Sequence, residues 1–219
     1  MYQKRILLEI EMYDEIVNFM QTGGSFMYPI LGVLAFGMAI AIERYLYLTA
    51  IKYNNRRLLA KLMPLLKEGD LNQVFQITSR SKVAICQMLN LGLTRLKIKP
   101  QRDQIEMAME ESLMEIIPRL EKRTHYLAMF ANIATLLGLL GTITGLIKAF
   151  TAVAQVDPSL KAEILSSSIS VAMNTTAFGL AVAIPLIIVF SILQAKTTEI
   201  VDSLEMATIK FINLIMIKQ

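Results

Sequence analysis

The chain has 219 residues, of which 54% are hydrophobic and 18% charged, and its formal net charge is +4. This composition predicts an all-α, polytopic membrane protein and leaves no room for a large independent enzymatic domain. The single cysteine, Cys86, excludes an intrachain disulfide, and one cysteine with one histidine cannot supply a structural zinc site. The basic residues form no dense block, so nucleic-acid binding is not expected.

Residues 1–24 are predicted to form an amphipathic helix that lies at the membrane interface on the periplasmic side, because apolar residues recur at helical spacing. No small-residue cleavage site follows, so a secretory signal peptide is not indicated. The first transmembrane helix is predicted over residues 25–48, since residues 22–42 carry no charge. Glu43 and Arg44 follow, and we interpret this pair as a marker of the membrane boundary.

Residues 49–125 form a sizeable polar segment with fourteen Lys or Arg against eight acids. By the positive-inside rule this segment is cytoplasmic, which places the N-terminus outside. Short helices are predicted over residues 56–67, 71–79 and 82–96, with a turn at residues 68–70. A longer helix is predicted to begin near Asp103 and to run without a break into the second span, with a kink at Pro118.

The rest of the chain holds two more apolar stretches that are free of acidic residues. No formal charge occurs between His125 and Lys148, and none occurs from Ile164 through Ala195. We therefore predict three transmembrane helices in all, with long helices extending into the cytoplasm that need companion helices of the same chain or of further copies. The remaining predicted segments are a second span over 126–151, a short periplasmic link over 152–165, a third span over 166–194 and a cytoplasmic C-terminal helix over 195–219.

Two stripes of small and hydroxyl-bearing residues run along the second and third predicted spans. Thr142 lies on the first stripe and Thr176 on the second, with Thr175 beside it. Residues three and four apart share a helix face, so such stripes let helices approach closely. The residues predicted to serve helix packing are Gly138, Gly141, Gly145, Gly179 and Pro185.

The spans contain no Asp, Glu or His except at their ends, and no phosphate-binding glycine loop occurs. Catalysis by this chain is therefore not expected, and neither a cofactor nor a metal is expected. Thr142 and Thr176 fall at a similar depth of two antiparallel helices, so they could line a hydrated path or receive a charged group from another protein. Alternatively, the hydroxyls bond only to helix backbone, as in a passive channel or a scaffold.

Residues 138–146, GLLGTITGL, resemble the second-span signature of the ExbB, TolQ and MotA family, and residues 175–185, TTAFGLAVAIP, resemble its third-span signature. Glu43-Arg44 is similar to the boundary pair of this family. The three-span layout is closer to ExbB and TolQ than to MotA, which has an additional span. Position 171 is valine, where ExbB and TolQ usually have a glutamate, and the consecutive Thr175-Thr176 is more like flagellar-type members.

The resemblance implies an ion-driven motor subunit of the bacterial inner membrane that contributes to a homopentameric ring in the lipid bilayer. Such a ring surrounds two single-span partners of the ExbD or TolR type, each with a membrane aspartate. By this resemblance, Thr142 and Thr176 correspond to the threonines that face the central pore and the partner's aspartate. The proton motive force would then drive a periplasmic protein, either a TonB-like protein of outer-membrane transport or the load of a Tol-like envelope or gliding motor. The resemblance leaves open whether the ion is H⁺ or Na⁺.

Overall fold

The computed structural model describes residues 23–216 together with Val17, Phe19 and Met20, and no strand occurs among them. The all-α fold predicted from the sequence is confirmed. Most of the predicted N-terminal helix, residues 1–16, lies outside the described residues. The helices are α1 (Met27–Glu68), α2 (Leu71–Ser79), α3 (Ala84–Ile98), α4 (Arg102–Glu121), α5 (His125–Val153) and α6 (Lys161–Met216).

In the part of the chain that the structure describes, three stretches are long and apolar enough to cross a membrane, as predicted; they lie within Met27–Glu68, Arg102–Val153 and Lys161–Met216. Only 22% to 28% of the residues in their most apolar windows are buried, so lipid or other protein surfaces must cover the rest. Helix α1 has 42 residues and α6 has 56. At a rise of about 1.5 Å per residue both are at least twice as long as the roughly 30 Å hydrocarbon core.

The chain forms two compact units, and α1 and α6 contribute residues to both. The first unit comprises Met1–Ala41 and Tyr126–Phe190, and its core is rich in alanine, with Ala131, Ala134 and Ala172 buried. Small residues are typical where helices associate in lipid, because they let backbones approach.

The second unit comprises Ile42–His125 and Ser191–Gln219. Large side chains fill its core, among them Met88, Met109 and Phe211. Such a core is typical of packing driven by the removal of apolar surface from water. Cys86 is fully buried there, and burial raises the pKa of its thiol, which a hydrogen bond with Ser81 lowers by less.

Two helices are longer than the sequence predicts. The separate helix expected over residues 56–67 is instead the end of α1, and the third span and the C-terminal helix form the single helix α6. Neither junction contains glycine or proline, so no residue there favours ending the helix. Helix α1 ends at Glu68, and the next residue, Gly69, has a φ of 87° that suits glycine; Asp70 then caps α2 by accepting a 3.0 Å hydrogen bond from the Gln73 amide.

The predicted unbroken helix from Asp103 into the second span is wrong, because residues 122–124 form a turn between α4 and α5. The buried guanidinium of Arg44 donates one hydrogen bond to the Leu120 carbonyl and another, at 3.3 Å, to Thr124 Oγ1. In a continuing helix the Leu120 carbonyl would accept from the Thr124 amide, which here donates to Glu121. Arg123 takes a positive φ of 68° at the break.

The adjacent residues Glu43 and Arg44 therefore have different surroundings. Arg44 is only 3% exposed and its guanidinium lies 4.8 Å from the centre of the Tyr47 ring. Glu43 pairs with Arg123 at 3.4 Å, and about half of each of these two side chains is exposed. Thus Arg44 fastens α1 to the turn between α4 and α5, a role beyond that of a boundary marker.

We expect Arg44→Gln to destabilise the protein far more than Glu43→Gln. Losing the charged hydrogen bonds leaves the Leu120 carbonyl without a partner, at a cost of about 2–3 kcal/mol. An exposed ion pair such as Glu43 with Arg123 contributes about 0–1 kcal/mol. Melting temperatures of the two purified variants in detergent, followed by helical circular dichroism, test this, and equal decreases would contradict the assigned role of Arg44.

Candidate functional site

Helices α5 and α6 approach within backbone contact in the first unit. A Cβ atom added to Gly138 would lie 3.3 Å from the Cα atom of Gly179. One added to Gly179 would lie 2.7 Å from the Ala134 carbonyl oxygen. These are backbone atoms of the facing helix and cannot rotate away, so only glycine permits this separation at the crossing.

The same contact continues on both sides of this crossing. A Cβ atom added to Gly141 would overlap the Thr175 side chain, and one added to Gly145 would lie 2.8 Å from Ala172 Cβ. The four glycines singled out in the sequence thus lie together between α5 and α6. Pro185, also predicted to pack, is on an exposed side of α6 in the single chain.

Three oxygen atoms meet at this contact. The hydroxyls of Thr142 and Thr176 are hydrogen-bonded to each other, and both also approach the Gly138 carbonyl oxygen, at 3.3 Å and 2.9 Å. Two hydroxyls supply only two protons for these three contacts. One hydroxyl can therefore turn toward another acceptor while the other keeps the cluster bonded. Both side chains are half-buried, so the cluster is accessible from one side.

Thr175 has different surroundings from its neighbour Thr176. It is 2% exposed, and its hydroxyl contacts the carbonyl oxygens of Gly23 and Val171. In the single chain the Thr175 hydroxyl is therefore buried against acceptors of the chain itself, whereas those of Thr142 and Thr176 are partly exposed. Val171 lies beside Gly24, where an added Cβ would be 3.4 Å from it.

Gly23 and Gly24 lie in a turn before α1 that packs against α6, where the Thr175 hydroxyl contacts the Gly23 carbonyl oxygen. The sequence holds one signal of this contact, because two adjacent glycines allow a close backbone approach. Phe19 lies nearby in the chain and contacts Phe178 edge-on, with ring centres 6.2 Å apart.

The chemistry open to this site is binding and orientation. Threonine hydroxyls donate and accept hydrogen bonds, but they do not release a proton at physiological pH. The charge-free runs of α5 and α6 hold no Asp, Glu, Lys or Arg near the two threonines. Among the described residues, no cluster of three His, Cys, Asp or Glu side chains could hold a metal ion.

We expect Gly179→Ala to destabilise the protein and Gly32→Ala to leave its stability unchanged or raise it. A methyl group at position 179 meets backbone, whereas nothing lies within 4 Å of a Cβ atom added to Gly32. Alanine at an unobstructed helical position stabilises by about 0.5–1 kcal/mol. Melting temperatures in detergent should fall for Gly179→Ala and stay level or rise for Gly32→Ala, and a fall of equal size in both would contradict the backbone contact.

Comparisons with known proteins identify the family of this chain. Residues 80–206 match the model of the MotA/TolQ/ExbB proton channel family, and this segment includes the glycines and threonines of the α5–α6 contact. A protein of Methanothermobacter thermautotrophicus named as an ExbB homologue is 25% identical over 203 residues, which cover 90% of this chain and 69% of that protein.

An ExbB-like protein of Synechocystis sp. is 29% identical over 184 residues, which cover 82% of this chain and 71% of the relative. Biopolymer transport protein exbB1 of Vibrio cholerae is 38% identical over 88 residues, 40% of this chain and 38% of that protein. The match of the family model confirms the resemblance seen in the span motifs. The chain belongs to the MotA/TolQ/ExbB proton channel family, as a multi-pass membrane subunit.

Proposed function

We propose that this chain is the ring-forming subunit of an ion-driven motor in the bacterial inner membrane. Five copies surround two single-span helices of the ExbD or TolR type, each with one membrane aspartate. The proton motive force then does work on a periplasmic protein, with TonB-type outer-membrane transport as the first candidate and a Tol-like envelope or gliding motor as the second. Membership of the family and the three apolar stretches support this proposal.

The observation that supports the proposal most directly is the hydroxyl cluster of Thr142 and Thr176, which lies within the charge-free runs of α5 and α6. An ionised carboxylate is costly in hydrocarbon, and hydrogen bonds to the charged form lower that cost. Because the cluster has one contact more than it has protons, one hydroxyl can donate to a visiting carboxylate without leaving the other unbonded. The pair is therefore suited to hold a partner's aspartate in its ionised state.

Repeating this pair around a ring gives the partner several equivalent positions. The partner's aspartate releases its proton at one threonine pair and regains it before it reaches the next pair. Each such step changes the free energy of the aspartate only a little. The membrane potential supplies about 2.3 kcal/mol per charge per 100 mV, which is enough to bias the direction. Rotation of the ring relative to the partner follows from this cycle.

Two rival functions use the same helices differently. A passive channel would need no partner, and a scaffold would need only the glycine contact between α5 and α6. The contacts of Gly138 and Gly179 serve packing in every case, so glycine substitutions do not separate the three functions. Substitutions of the two threonines do separate them, because only an ion path or a docking site for a charged group requires the hydroxyls.

We expect Thr142→Val and Thr176→Val to leave assembly intact and to abolish energised function, because valine keeps the shape but removes the hydroxyl. Thr144→Val is the matched control, since the Thr144 hydroxyl contacts only the carbonyls of Leu140 and Gly141 in its own helix. Thr176→Ser should retain function. The measurement is proton-motive-force-dependent activity of the assembled complex in cells, beside its yield after native extraction.

Normal energised function in both valine variants would contradict the role of the pair. An equal loss of energised function in Thr144→Val would show that the effect is not specific to Thr142 and Thr176, and this would also contradict the role of the pair. Loss of assembled complex in the valine variants together with Thr176→Ser would show that these side chains serve packing, and this too would contradict a functional role of their hydroxyls.

The proposed orientation places the link between α5 and α6 in the periplasm, since the basic residues concentrate in residues 49–125. In a Cys86→Ala background, we expect Asp157→Cys to react with a membrane-impermeant maleimide in intact cells. Lys61→Cys should react only after the cells are broken, because α1 carries it into the cytoplasm. Both positions are exposed, and the reverse labelling pattern would contradict the orientation.

A further inference from the structure

A cleft of about 330 Å³ opens in the second unit between α1, α4 and the start of α3. Its size falls within the range of about 300–1,000 Å³ that is typical of small-molecule sites. Apolar side chains form most of the wall, including Ile51, Val83 and Ile116. Two cations, Lys82 and Arg119, also line it, and no acidic residue does.

The charge of this cleft favours an anion. Lys82 is exposed, and Arg119 makes only a loose contact of 3.9 Å with Glu115 one turn away. Such an exposed pair contributes little and leaves the guanidinium open to a stronger partner. Helix α3 begins at the same place, and no side chain caps its first turn at Val83, which adds to the positive potential.

The sequence places this cleft next to the membrane. Tyr47, which lines it, follows Glu43 by four residues, about 6 Å along the helix at 1.5 Å per residue. Leu120, which also lines it, precedes His125, where the next charge-free run begins. Tyrosine and basic residues are enriched at membrane interfaces, where lipid headgroups lie.

We propose that this cleft binds an anionic phospholipid of the proposed cytoplasmic leaflet. The lipid phosphate lies against Lys82 and Arg119, and its upper acyl segment lies on Ile51 and Ile116. Basic clefts between helices on the cytoplasmic side are suited to anionic headgroups, and the apolar wall selects a lipid over a free phosphate. Lipid bound in this cleft stabilises the contact between Arg44 on α1 and the turn at residues 122–124. The proposal depends on the predicted orientation, and it holds whether or not the motor function does.

The test uses a fluorescent reporter, which is possible because the chain has no tryptophan. The full-length Tyr47→Trp protein is reconstituted in phosphatidylcholine bilayers that contain a small fraction of brominated phosphatidylglycerol or, in parallel, brominated phosphatidylcholine. Bromine quenches tryptophan at short range. The ratio of quenching by the two lipids then measures enrichment of the anionic lipid at the cleft.

We expect this ratio to be about fivefold or more, because one charge near an anionic headgroup accounts for a factor of about five. Lys82→Gln with Arg119→Gln should bring the ratio close to one, whereas Lys82→Arg with Arg119→Lys should preserve it. The matched control is Lys61→Gln with Lys99→Gln, which removes two exposed charges outside the cleft and should leave the ratio unchanged. A reporter at another predicted interface position, Tyr126→Trp, should show a ratio near one.

Four results would overturn the proposal. A ratio near one in the Tyr47→Trp protein shows no preference for the anionic lipid. An unchanged ratio after the double glutamine substitution shows that these cations do not hold it. Quenching by neither lipid shows that protein covers the cleft, as a second copy of the chain would. Soluble glycerol phosphate at the same concentration should not lower the ratio, and if it does, the ligand is a free phosphate and not a lipid.

Discussion

The structure depends on the close approach of two helix backbones at Gly138 and Gly179. In lipid no hydrophobic effect drives helices together, so the packing of small residues and hydrogen bonds between helices must do so. At this crossing Gly138 takes part in both interactions. It allows the backbone of α6 to approach, and its carbonyl oxygen accepts a hydrogen bond from the Thr176 hydroxyl. Without that approach, Thr142 and Thr176 would not share a hydrogen bond, and α5 and α6 would have no polar cluster.

This constraint links packing to the proposed function. A pair of hydroxyls between two helices of one chain is held in place by backbone contact, so every copy in a ring would present the same geometry. The spans supply no carboxylate of their own. In the proposed motor this chain would supply the fixed hydroxyl surface and a partner would supply the titratable group, which is compatible with membership of a proton channel family.

Much of this was predictable from the sequence, for identifiable reasons. Long charge-free runs indicated the spans, and spacings of three and four residues placed the glycines and threonines on common faces. The ends of the helices were harder to predict. The turn at residues 122–124 depends on Arg44, a residue about 80 positions earlier, and a local pattern contains no trace of such a contact. The burial of Thr175 against Gly23 has no local signal either, since the two residues are 152 positions apart.

The central claim is that the titratable group comes from a partner. Ion flux into liposomes under an imposed membrane potential tests it most directly, with the purified chain alone and with the chain co-assembled with a single-span protein that carries a membrane aspartate. The account predicts no flux above the lipid background for the chain alone, and flux for the assembly that disappears when the aspartate is replaced by asparagine. Flux through the chain alone would contradict it.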